Sequence, residues 1–218
     1  MKNKLKNIIT ALLLYASNAT AQIPVEVFVG NEKATIDIMF FKFFKTTLGE
    51  NSRWLFFNRN RASIDYRMTK TEYLPQFGFT EALSYNHPKL KGFAPVFVGQ
   101  VLNWGVYPKA GIQYVILKKE ITAFTWLVCE TLKSRTIDYF LLFRYTPQLS
   151  DKIKLFTQLE SINTLPTSTN SNYIFTQRIR FGLSVSGGQF GVGTDVNETG
   201  RNNFTYTYNI GGFLRHEF

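Results

Sequence analysis

The chain contains a single cysteine, Cys129, in 218 residues. One thiol excludes an intramolecular disulfide and a thiolate metal cluster. Histidine is almost as scarce, with only His87 and His216. Neither accompanies a serine elbow, so Ser–His acyl-transfer chemistry finds no support. No Cys/His cluster or calcium-loop spacing is present, and no metal or other cofactor is expected. The run Gly187-Gly188-Gln189-Phe190-Gly191-Val192-Gly193 leads into neither a helical pattern nor a Lys-Ser/Thr pair, so it reads as a hairpin and not a phosphate loop. Long hydrophobic runs are missing too. The longest, Ile8 to Tyr15, is too short to cross a bilayer as a helix. Beyond Gln22 there is no sustained helical periodicity. An enzyme is therefore not expected, and any membrane crossing would be made by strands.

Aromatic residues are abundant: 21 Phe and 11 Tyr bring Phe, Trp and Tyr to 16%. Hydrophobic residues make up 44% and the mean hydropathy is −0.10, values of an ordinary soluble protein. A transmembrane barrel alternates polar and apolar residues and averages to the same figure. At the N-terminus, Lys2, Lys4 and Lys6 precede the short apolar run, and Ala19-Thr20-Ala21 has the small-x-small form of a cleavage site. Residues 1–21 read as a cleaved secretory signal peptide, and residues 22–218 as the mature domain. Cleavage lowers the formal charge of +10 by three and leaves the chain basic. With a secretory leader, nucleic acid is not an expected partner. Anionic head groups or an anion-attracting pore remain.

The mature chain is a series of short segments with apolar residues at every second position. Ile23 to Gly30 carries Ile23, Val25, Val27 and Val29 on one side. Ala34 to Lys45 carries Ile36, Ile38 and Phe40 against Thr35 and Asp37, then turns aromatic on both faces. From Arg53 to Arg67, Trp54, Phe56, Ala62, Ile64 and Tyr66 oppose Arg59, Arg61, Ser63, Asp65 and Arg67. Charges at every second residue are too costly for a lipid face at mid-depth, roughly 2–4 kcal/mol each. They require water or each other. Weaker versions follow at 76–86, 93–104, 110–119 and 121–132, with Gly105-Val106-Tyr107-Pro108 read as a turn. Thr136 to Thr146 sets Ile137, Tyr139, Leu141, Phe143 and Tyr145 against Asp138 and Arg144, with Phe140 and Leu142 on the polar side. Lys152 to Asn163 sets Ile153, Leu155 and Leu159 against Lys152, Lys154 and Glu160. After a polar loop at 163–172, Tyr173 to Ser186 places Arg178 and Arg180 opposite a run of aromatic and aliphatic residues. Gln189 to Val196 and a polar loop at 197–202 lead to the last strand.

That strand, Asn203 to Phe218, has Phe204, Tyr206, Tyr208, Ile210, Leu214, His216 and Phe218 on one face and mostly polar residues on the other. An alternating last strand that ends in Phe resembles the C-terminal strand of Gram-negative outer-membrane β-barrels. The resemblance implies an all-β fold: a closed antiparallel transmembrane barrel of about twelve strands, with ten also compatible with termini on one side. It also implies outer-membrane lipid and the barrel-assembly machinery as partners, with Tyr206, Tyr208, Ile210, Leu214 and Phe218 as the assembly signal. Other outer-membrane proteins are further possible partners. A soluble two-sheet sandwich is the competing architecture. Nucleoside-channel-like barrels are nearest in size, and the porin or channel type implies passive diffusion. The candidate lumen lining is Arg59, Arg61, Asp65, Arg67, Asp138, Arg144, Lys154, Glu160, Arg178 and Arg180. Two functions fit it. One is a narrow channel for small polar or anionic solutes. The other is a plugged structural or accessory barrel, which blockage of the lumen by Phe140, Leu142 and Phe156 would favour.

Overall fold

The computed structural model describes residues 23–66, 75–132 and 135–218. The expected leader, residues 1–21, and Arg67 lie outside the described residues. The strands are β1 Pro24–Gly30, β2 Lys33–Lys45, β3 Asn51–Asp65, β4 Gln76–Tyr85, β5 Phe93–Leu102, β6 Gly105–Leu117, β7 Ile121–Glu130, β8 Ile137–Tyr145, β9 Gln148–Ser150, β10 Ile153–Leu165, β11 Tyr173–Val185, β12 Gly188–Gly200 and β13 Phe204–Glu217. β9 is a stub that folds back on the start of β10. The other twelve pair antiparallel with their neighbours in chain order, and β13 pairs with β1 from Pro24↔Glu217 to Gly30↔Gly211. The sheet is therefore a closed twelve-stranded antiparallel β-barrel, not a sandwich and not ten-stranded. Closure leaves no row of unpaired backbone groups at a sheet edge.

The period-two pattern becomes two surfaces. Outside lie Val27, Val29, Ile36, Trp54, Ile64, Phe97, Ile112, Phe181, Val192, Tyr206, Tyr208, Ile210, Leu214 and Phe218, all solvent-exposed. Inside lie the opposite residues of the same strands, including Glu26, Asp37, Arg59, Gln113, Glu160, Arg180, Asp195 and Arg215, all buried. An apolar exterior around a charged interior inverts the soluble pattern.

Turn chemistry fixes the register at one end. Ser186 and Gly187 have φ of 49° and 83° and connect the Val185↔Gly188 pair. Two left-handed central residues match the twist of a tight hairpin. Strand ends differ from the sequence expectation in three places. β6 begins at Gly105, because Pro108 stays in the ladder by accepting the Thr131 N–H at 3.0 Å. β10 runs to Leu165 and β12 to Gly200, through residues read as loop. Backbone pairing is indifferent to side-chain polarity, so these strands continue past the point where their outer residues cease to be apolar. The doubly aromatic run in β2 divides its rings. Phe41 and Phe43 pack inward, Phe40 and Phe44 meet Phe56, and the register shifts between Phe43 and Lys45.

Candidate functional site: the lumen

The lumen has two unlike halves. Across β2 to β8 it is filled by an apolar cluster of Met39, Leu55, Phe57, Val98, Phe124, Trp126, Phe140 and Leu142 with their neighbours. Phe57 stacks on Phe124 at 5.3 Å and meets Trp126 edge-on at 5.2 Å. Phe41 on β2 reaches Phe124 on β7 at 4.8 Å. These rings meet across several staves, so their contacts cross the barrel and do not merely coat its wall. Offset and edge-on geometries of this kind add to the burial gain of each ring.

The other half, lined by β1, β2, β3 and β10 to β13, is charged. Arg59 forms a two-point pair with Asp37 and donates from Nη1 to Glu160 Oε2 at 2.8 Å. β3 and β10 are six staves apart in either direction round the ring, so this ion pair bridges the lumen diametrically. Glu160 also accepts from Arg178 at 3.2 Å. Arg61 lies 3.4 Å from Asp37 and 2.9 Å from Asp195. Arg180 holds Asp195 at 2.8 Å and Glu26 at 3.0 Å, and its guanidinium sits 3.9 Å from the centroid of Phe28. Four arginines face four carboxylates, and every charge but Glu26, which pairs with Arg180 alone, meets more than one opposite group. A buried charge without such a partner would cost several kcal/mol.

The network continues toward the end of the barrel where Ile23 pairs with Phe218. Gln158 donates to Glu160 at 2.8 Å and accepts from Arg144 at 2.9 Å and Arg215 at 3.4 Å. The same two guanidiniums lie 5.7 and 5.8 Å from the Phe156 ring, which also packs on Phe213 at 5.5 Å. Below this layer a cavity of about 600 Å³ opens, lined by Lys119, Arg144, Lys152 and Lys154 with Asp151 and Glu217. Cations outnumber acids there, so the vestibule is basic. A smaller cavity of about 70 Å³ lies beside Arg59, Phe140 and the Lys109–Asp138 ion pair.

The ten candidate lining residues thus fall in different layers. Arg59, Arg61, Glu160, Arg178 and Arg180 come together in the central network. Arg144 and Lys154 line the vestibule. Asp138 pairs with Lys109 on the apolar side, and Asp65 sits at the end of β3 far from the vestibule. Arg67 is outside the described residues. Phe140, Leu142 and Phe156 are 3%, 0% and 0% exposed and lie in the lumen. Sequence reasoning missed Glu26, Asp195 and Arg215, although parity would have found each, opposite Val27, Val192 and Leu214. It missed Lys109 because Gly105–Pro108 was read as a turn. His87 accepts from the Lys89 N–H at 3.3 Å and caps the 3-10 turn Pro88–Leu90, whereas His216 meets Phe218 at 4.7 Å on the outer surface.

No protein-family model matches the chain, and no curated protein matches it. Among solved structures, a triple mutant of a Rhodopseudomonas blastica porin is similar at 7% identity and a TM-score of 0.28, over 90% of this chain and 99% of that one. A double mutant of the same porin gives 9% identity and a TM-score of 0.27 over the same shares. The barrel assignment rests on the strand pairing of this chain and not on these likenesses.

Proposed function

We propose that this chain is an outer-membrane β-barrel carrying a narrow polar conduit for small polar or anionic solutes, closed in the described conformation by its ion-pair bridge. The observation that carries this reading is the one-sided lumen. The apolar cluster fills the β2 to β8 half, while a polar seam runs along β10 to β13 from the basic vestibule through the arginine–carboxylate network to Thr176 and Asn197. Ion pairs that share partners exchange at little cost, because a guanidinium leaving one carboxylate meets another. Phe156 must move with them, since it occupies the seam between the vestibule and Glu160. The apolar exterior supports insertion in a lipid bilayer, and the basic vestibule favours entry of anions. Tyr206, Tyr208, Ile210, Leu214 and Phe218 share that exterior. Their role as an assembly signal belongs to the same proposal.

A second reading, a plugged structural or accessory barrel, is favoured by the burial of Phe140, Leu142 and Phe156. Purified protein in planar bilayers separates the two. The conduit reading expects small, intermittent openings in the wild type that become larger in Arg59→Ala. Silence in both, from protein that shows the heat-dependent gel shift of a folded barrel, supports the plugged reading.

A further inference from the structure

The cations of the charged half and the vestibule fall into two groups. Arg59, Arg61, Arg178 and Arg180 each meet two carboxylates in the central network. Arg144, Lys119, Lys152 and Lys154 line the vestibule, and among the described residues none of the four has a carboxylate within ion-pair distance. The acids of the same cavity do not neutralise them. Asp151 and Glu217 against four cations leave two positive charges over, and Glu217 accepts from Gln189 at 3.2 Å. Arg215, buried in the layer above, also lacks a carboxylate at that distance among the described residues. It shares one neutral acceptor, Gln158 Oε1, with Arg144, at 3.4 and 2.9 Å. Two guanidiniums answered by one carboxamide oxygen leave the floor of the vestibule short of negative charge.

Hydroxyls stand beside these cations. Arg144 is directly across from Thr122, and Lys154 is directly across from Ser184. Thr146 and Ser186 extend the same wall, and among the described residues no aliphatic or aromatic side chain lines the cavity. Such a lining offers nothing to a nucleobase, an acyl chain or an aromatic solute. The cavity of about 600 Å³ has the volume of roughly twenty waters, far more than a bare ion fills. Its two surplus charges match a phosphate monoester, which carries about −1.5 to −2 near neutral pH. A sugar carboxylate brings only one. We propose that the vestibule binds a hydroxylated phosphate monoester of sugar-phosphate size, the phosphoryl group on Arg144 and the lysines, the hydroxyls on Thr122, Thr146 and Ser184. Passage of such a solute rests on the conduit reading, whereas its binding requires only the folded vestibule.

The test is titration calorimetry on the full chain folded in detergent, with glucose 6-phosphate as the probe. Inorganic phosphate has the charge without the sugar hydroxyls, and glucuronate has the hydroxyls with a single charge. Glucose 6-phosphate should bind about tenfold more tightly than either, because hydroxyl contacts and the second charge each contribute. Lys152→Gln with Lys154→Gln should weaken it about tenfold or more, since each lost charge acts on a dianion from within a Debye length. Lys89→Gln with Lys91→Gln, on the β4–β5 connection outside the cavity, should leave the affinity unaltered. All four lysines are exposed, so the heat-dependent gel shift should persist in both variants. No heat from glucose 6-phosphate in protein that shows the gel shift would overturn the proposal. So would equal affinity for inorganic phosphate or glucuronate, undiminished binding in the Lys152/Lys154 variant, or the same loss in both lysine pairs. Binding without openings in planar bilayers would keep the site and remove the conduit, and openings without binding would do the reverse.

Discussion

Glu160→Ala tests the central network most directly. The carboxylate it removes answers Arg59 at 2.8 Å, Arg178 at 3.2 Å and Gln158 at 2.8 Å. Arg59 keeps Asp37, and Arg178 keeps Asp195 at 3.7 Å. Neither arginine is left alone, so the loss of stability should sit at the lower end of the range for a broken buried ion pair, about 3 kcal/mol. The larger effect is on permeation. The substitution cuts the diametric bridge and leaves four arginines facing three carboxylates. One uncompensated charge acting at ~6 Å through a water-like medium favours a passing anion by about 0.7 kcal/mol and disfavours a cation equally. That is about threefold for each ion and about tenfold in their permeability ratio. Reversal potentials across a planar bilayer under a potassium chloride gradient measure this ratio, and the variant should also conduct more than the wild type. An unchanged ratio, or a shift toward cations, would refute the placement of this network on the conduction path.

Arg59→Ala removes the other end of the bridge and should shift the same reversal potential toward cations. Phe57→Ala takes out the ring shared by Phe124, Trp126 and Phe140; about 3–5 kcal/mol of stability should be lost in urea unfolding, with ion preference unaltered. In a Trp54→Phe, Trp104→Phe background, the emission of Trp126 should move to the red in that variant. Arg180→Lys gives up the planar fork that joins Glu26 to Asp195 over the face of Phe28, and should lower the unfolding midpoint although the charge is retained. Asn209→Ala leaves the N–H groups of Glu32 and Lys33 without the carboxamide oxygen they share at 2.9 and 3.1 Å, so about 2 kcal/mol should be lost on heat-shift gels run against urea.

Alternation carries face information and little else. Carried back from Phe204–Phe218, it placed Arg59, Arg178 and Arg180 inside and Trp54, Ile179 and Phe181 outside, because a closed barrel allows only those two surfaces. It carries no depth. Which charge meets which across the lumen depends on how the staves are sheared against one another, so the contact between Arg59 and Glu160, 101 positions apart, has no local signature. The aromatic filling was hidden for a related reason. Phe140 and Leu142 stood out only as exceptions to the alternation, and their common destination with Phe57 and Phe124 is a property of the folded ring.

Asn209 bears on the order in which the barrel forms. Its carboxamide accepts the N–H groups of Glu32 and Lys33 and returns a bond to the Lys33 carbonyl at 3.1 Å. The connection between β1 and β2 is thus fastened by a residue 177 positions away. Contacts so remote in sequence form late, after the chain between them has been drawn together. The first hairpin to emerge is therefore completed only when the last strand arrives. A chain released one strand short would present two open edges, on β1 and on β12, and a first turn still lacking its clasp.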